Sequence, residues 1–78
     1  MIKIEDLIPF LKKGWVAMDS SNIWFWTDKK PWTNTQDKKE NRGYWYANTI
    51  NAYTLEAFDI APAEDWTQSL IKIERKDK

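Results

Sequence analysis

Ile4, Leu7, Ile8 and Leu11 recur at the three- and four-residue spacing that lays one apolar stripe along a helix, so the segment IEDLIPFLKK, residues 4–13, predicts an amphipathic helix. Glu5 and Asp6 stand at the end where a helix dipole favours acids. Lys12 and Lys13 stand at the end where it favours bases, and Gly14 comes next as the expected C-cap. Pro9 is tolerable only in the first turn, where its missing N–H is not needed, which makes Asp6 the expected N-cap.

Beyond Gly14 the period shortens to two. Trp15–Asp19 and Ile23–Thr27 are dense in aromatic and β-branched residues, and Ser20, Ser21 and Asn22 separate them, which predicts a β-hairpin. In the second strand Trp24 and Trp26 share one face, and Ile23, Phe25 and Thr27 share the other. Both faces are apolar, so the strand is either central or covered on its second face by a partner or ligand; the Trp24 and Trp26 face is assigned to that partner or ligand. Asp28–Pro31 reads as a turn. The run WTNTQDKKENRG, residues 32–43, is polar and aperiodic, a long loop for so short a chain and of the kind that is functional or mobile. Tyr44–Asn48 predicts a third strand, with Tyr44 and Tyr46 on one face and Trp45 and Ala47 on the other. Ile50–Leu55 predicts a fourth. Leu55–Ile60 reads equally as a helical turn or an irregular return, Pro62 breaks the chain after it, and Ser69–Glu74 predicts a closing strand. The expected fold is α+β: one N-terminal helix packed on a small antiparallel sheet of four to five strands, as a single domain over residues 1–78.

Composition then narrows the chemistry. Seventy-eight residues enclose one core at most. There is no cysteine and no histidine, which removes disulfides, the common zinc sites, the usual general base and the usual soft nucleophile. Asp59, Glu64 and Asp65 cluster in sequence, but their spacing matches no metal-binding loop. The expectation is a binding protein and not an enzyme, with no metal and no cofactor. Twelve basic residues balance twelve acidic ones, so bulk DNA or RNA, whose phosphates demand a basic surface, is disfavoured as a partner. Residues 1–10 carry Glu5 and Asp6 and lack the apolar run of a signal peptide, and no stretch has the length of a membrane span; a cytoplasmic protein without a membrane partner is expected.

Six tryptophans, three phenylalanines and three tyrosines exceed what so small an interior is expected to hold. Some of them are therefore expected to line a ligand pocket or a subunit interface, and the chain to form a homodimer or homotetramer. Trp66, two acids into the approach to Leu70, Ile71 and Ile73, is assigned to the core. Trp24, Trp26, Trp32, Tyr44 and Tyr46 are candidate platforms for a flat ring. Lys29, Lys30 and Arg42 flank the polar loop and are candidate phosphate contacts, while Asn48, with Asn34, offers the paired donor and acceptor that reads a base edge. A sugar would use the same platforms, and so would a protein partner, because Trp, Tyr and Arg are also hot-spot residues.

The order of features carries a resemblance. A short helix ends in KKGW, residues 12–15, a Trp-rich hairpin and an aromatic strand come after it, and LEAFDIAPAEDW, residues 55–66, leads into a final strand. This layout resembles small phage-encoded proteins that sequester nucleotide immune signals: the Thoeris anti-defence sponge family, and equally the related sponges that act on the cyclic dinucleotides of CBASS defence. The late run of leucine, alanine, two acids and Trp is matched by Ala63, Glu64, Asp65 and Trp66, with Leu55 and Ala57 upstream. The resemblance spans residues 4–15 and 44–73, and residues 27–43 match nothing in it. It implies a homo-oligomer in the host cytoplasm. That oligomer would hold a cyclic oligonucleotide or cyclic ADP-ribose derivative near subunit junctions, reversibly and without turnover. The other expectation is an inhibitor or adaptor that caps a host defence protein through the Trp24 and Trp26 face.

Overall fold

The computed structural model describes residues 1–33 and 45–74. An N-terminal helical segment precedes four strands, β1 (Gly14–Met18), β2 (Trp24–Thr27), β3 (Ala52–Thr54) and β4 (Ile71–Ile73), which form one antiparallel sheet in the order β3-β2-β1-β4. The fold class is α+β, as the alternation of periods indicates.

The helix is shorter than its apolar stripe. Helix α1 spans Ile4–Leu7 and tightens into a 3₁₀ turn over Ile8–Phe10 before Leu11 becomes extended. Pro9 accounts for this, because it has no N–H to give to the carbonyl of Glu5, so the α-helical ladder cannot continue through it. Lys3, not Asp6, occupies the N-cap position, and its side chain makes no capping bond. Gly14 is no C-cap but the first residue of β1. A Cβ there would fall 2.6 Å from the Thr27 carbonyl oxygen and 2.8 Å from the Trp26 ring, so the glycine lets the indole lie across the strand.

The hairpin forms in the expected place, with Trp15 opposite Thr27 and Met18 opposite Trp24. Asp19 closes it. Its Oδ1 accepts from the N–H of Ser21 at 2.9 Å and of Ile23 at 3.2 Å, and Asn22 takes a left-handed φ of 65°, a conformation asparagine tolerates better than most side chains. The closing strand is pinned by Ser69. The β1–β4 register runs Gly14 to Ile73, Trp15 to Lys72 and Val16 to Ile71, and its continuation sets Met18 opposite Ser69. There the serine hydroxyl replaces a backbone pair: it accepts from Met18 N–H at 2.8 Å, and its proton lies between the carbonyls of Met18 at 3.1 Å and Trp66 at 2.6 Å.

One face of the sheet carries the core. Val16, Met18, Trp24, Trp26 and Ile73 pack with Ile4, Leu7 and Leu11 of the helical segment and with Leu55 and Ile60. Leu55–Ile60 proves to be an irregular return: Phe58 N–H bonds the Leu55 carbonyl, and Ile60 forms a parallel bridge with Ile2 that straps the chain start to this return. The expected third strand is reduced to one antiparallel bridge, Trp32 with Tyr46, since no other described residue of that segment finds a paired backbone; Tyr44 lies outside the described residues. Among the described residues no helix is long and apolar enough to cross a membrane.

Candidate functional site

The tryptophans separate into two groups by what their indole N–H groups and ring faces meet. Trp24 is 4% exposed and donates to the Ala61 carbonyl at 3.2 Å; Trp26 is 6% exposed and donates to the Lys12 carbonyl at 3.1 Å. Trp45 is half-buried, and its one N–H lies between the carbonyls of Met18 at 3.0 Å and Trp66 at 3.2 Å. These three rings cross-link segments distant in sequence, and the Trp24 and Trp26 N–H groups satisfy carbonyls of irregular chain. The assignment of the Trp24 and Trp26 face to a ligand is therefore corrected. That face is the core, and Phe25 and Ile23, on the opposite face, are the half-exposed ones. Trp66 is half-buried, packed against the core rather than enclosed in it, with its ring edge-on to Trp45 at 6.5 Å and 87°.

The remaining candidate residues lie around the ends of the polar run. Trp32 is 52% exposed and Tyr46 37% exposed, and reciprocal backbone bonds of 2.8 and 2.7 Å hold them opposite one another. Their ring centroids are 6.2 Å apart with planes inclined by 33°, so both rings present aromatic surface to solvent. Lys29, Lys30 and Asn48 are exposed on the same two stretches of chain. Lys29 N–H bonds Thr27 Oγ1 at 3.4 Å where the chain bends out of β2, and Lys30 then reaches back over the Trp15 ring, its Nζ 5.7 Å from the ring centre. Arg42, Tyr44 and Asn34 lie outside the described residues.

Trp15 joins these residues although its sequence position alone did not single it out. Alternation places it on the face of β1 opposite Val16, the register sets it across from Lys72, and Lys72 Nζ stands 5.6 Å from its ring centre. The signal available in the sequence was that alternation, together with a lysine at the middle of the closing strand. The same face bears an open concavity of ≈ 260 Å³ whose lining includes Asp19, Ile23, Phe25, Trp45, Tyr53 and Thr54.

Two carboxylates are committed to structure. Asp28 accepts from Thr49 Oγ1 and from Asn51 Nδ2, the latter at 2.9 Å, and these bonds, the Thr49 one foremost, hold its pKa below the ordinary carboxylate value. Asp28 thereby fixes the turn at residues 49–51 beside the end of β2, which positions the chain leaving Tyr46. Asp65 caps the 3₁₀ turn Trp66–Gln68 by accepting from Thr67 N–H at 2.9 Å and Thr67 Oγ1 at 2.6 Å, and the Thr67 side chain is the first cause of its lowered pKa. Among the described residues no group of three or more acids is placed to hold a metal ion. Comparison with protein-family models, curated proteins and solved structures returns no match.

Proposed function

We propose that this protein binds and sequesters a small nucleotide signal, a cyclic oligonucleotide or cyclic ADP-ribose derivative, on the exposed Trp32–Tyr46 pair. The observation that carries this reading is the pair itself. Two large aromatic rings are kept at the surface by a two-bond backbone bridge, although three other indoles of the same chain are consumed as internal cross-links. An aromatic face offered to solvent beside lysines fits a flat, anionic ligand, since stacking on one platform is worth about 1–3 kcal/mol and lysines attract phosphate. The resemblance of its element order to phage sponges supports the same reading. The reading is of binding without turnover, since the chain has no histidine or cysteine to serve as the usual general base or soft nucleophile. In this reading the chain works as a homo-oligomer in the host cytoplasm, and exposed Phe10, Ile50, Tyr53 and Phe58 supply apolar surface for self-association.

The test is calorimetric titration with a panel of cyclic di- and trinucleotides and cyclic ADP-ribose isomers, on the unmodified chain and on Trp32→Ala. A ligand from the panel is expected to bind, and the variant to stay folded while losing about 1–3 kcal/mol of affinity. Absence of binding across the panel removes the reading. The apolar concavity around Phe25 would then favour the second one, a protein partner seated on the uncovered face of the sheet.

A further inference from the structure

Lys30 and Lys72 come from the two sides of β1, the bend after β2 and the middle of β4, and both ammonium groups lie over the same indole, Trp15, at 5.7 and 5.6 Å from its centre. Part of the arrangement is ordinary packing, since lysine stems cover aromatic surface while their charged ends stay in water, and each ammonium gains from the ring quadrupole. That gain accounts for each lysine singly; together they gather two positive charges around one ring. Lys72 has one carboxylate within reach, Glu74 Oε1 at 3.3 Å, and among the described residues no carboxylate is in ion-pair range of Lys30. The pair thus sets surplus positive charge around a half-buried aromatic ring. It adjoins Trp32, since only Pro31, fully buried, separates Lys30 from it in the chain.

We propose that Lys30, Trp15 and Lys72 form a phosphate-binding subsite that takes a di- or polyphosphate group. This inference deepens the nucleotide reading and rests on it for the identity of the whole ligand: the base lies on Trp32 and Tyr46, and the phosphates meet the two ammonium groups. Two lysines approaching from two separate stretches of chain act as point charges on separate oxygens, a geometry suited to a group carrying more than one negative charge. Glu74 competes with the ligand for Lys72.

Sodium pyrophosphate, titrated calorimetrically into the full chain at low salt, probes the subsite without any base. Pyrophosphate is expected to bind. Lys30→Gln and Lys72→Gln should each weaken it roughly tenfold or more, the scale of one charge-assisted contact. Glu74→Gln should strengthen it by releasing Lys72, and Trp32→Ala should leave it unchanged. The lysine changes lie at the surface and keep the fold, which thermal melts of the same samples verify, whereas Trp15 variants carry that risk and are avoided. If pyrophosphate does not bind, or binds equally to all the lysine variants, the subsite is wrong. Cyclic nucleotides that bind in a Trp32-dependent way but ignore both lysines overturn the subsite and leave the nucleotide reading standing. Lysine-dependent pyrophosphate binding, with no nucleotide bound more tightly than pyrophosphate itself, upholds the subsite and removes the nucleotide reading.

Discussion

Replacing Ser69 by alanine tests whether the closing strand is held by a side chain acting as backbone. Ser69 is buried and opposite Met18, itself 2% exposed. The hydroxyl is the acceptor for Met18 N–H, while the Met18 carbonyl also receives the Trp45 N–H, and the Trp66 carbonyl also receives Trp45 N–H and Ser69 N–H. Removing the hydroxyl therefore orphans one group, the buried Met18 N–H, and spares both carbonyls. An unsatisfied buried donor costs about 1–3 kcal/mol. A chain of this length is expected to have a total stability of roughly 4–12 kcal/mol, and in small domains each kcal/mol moves Tm by about 4–8 °C. Ser69→Ala should thus melt roughly 4–24 °C lower on these scales, and its urea midpoint should fall at unchanged slope, as for loss of stability without a change of unfolded state. Ser20→Ala, in the exposed hairpin turn, serves as the control and should stay within about 0.5 kcal/mol of the parent. If Ser69→Ala melts within a degree of that control, the hydroxyl does not stand in for a backbone pair and the strand is held by its ladder to β1 and the packing of Ile71 and Ile73.

The two groups of tryptophans should behave oppositely. Trp26→Ala, which empties the core and orphans the Lys12 carbonyl, should cost about 3–5 kcal/mol by chemical denaturation, while Trp32→Ala should cost no more than about 0.5 kcal/mol; equal losses would mean that Trp32 is not a surface platform. Asp28 has a folded-state pKa below its unfolded one, so its hold on Thr49 and Asn51 contributes stability that is fully present above the ordinary value of about 3.9 and is lost as pH falls through the lower folded value. NMR titration of the Asp28 carboxyl should show that lowered midpoint, rising towards the ordinary value in Asn51→Ala, and a midpoint at or above the ordinary value in the parent would contradict the clasp. Light scattering should report a mass two or four times the 9.4 kDa of the chain, reduced by charging the 97%-exposed Ile50 with Ile50→Glu; a monomer throughout the micromolar range would remove self-association.

What could be read from the sequence was what neighbouring residues decide. The hairpin was legible because its strands, its polar turn and the alternation of Trp15 to Met18 and Trp24 to Thr27 are all local, and the helix stripe was legible for the same reason, its end set by Pro9 once the ladder through that residue fails. The choice of core face on β2 was not legible, because both faces are apolar and no property of the strand ranks them. The deciding partners are remote: the helical segment that docks over Trp24 and Trp26, and the carbonyls of Ala61 and Lys12 that take their N–H groups. Two of the six indoles, Trp24 and Trp26, are buried and Trp32 is exposed, in keeping with an aromatic content beyond what the core holds, but counting tryptophan only as apolar area misses a second role. Each indole also carries one donor at the end of a long rigid ring. In a chain without cysteine, Trp24, Trp26 and Trp45 use that donor to fasten irregular segments to the sheet, so that a high tryptophan content serves cohesion as well as burial. The candidate site was legible as a set of residue types, Trp32 and Tyr46 with Lys29 and Lys30, but its geometry was not. The register that sets Trp32 against Tyr46 is fixed across an aperiodic polar run, and the meeting of Lys30, Trp15 and Lys72 depends on the β1–β4 pairing, which brings together residues near the two ends of the chain. A strand pattern states which side chains share a face; only the pairing of strands states which of those faces, and which charges, meet.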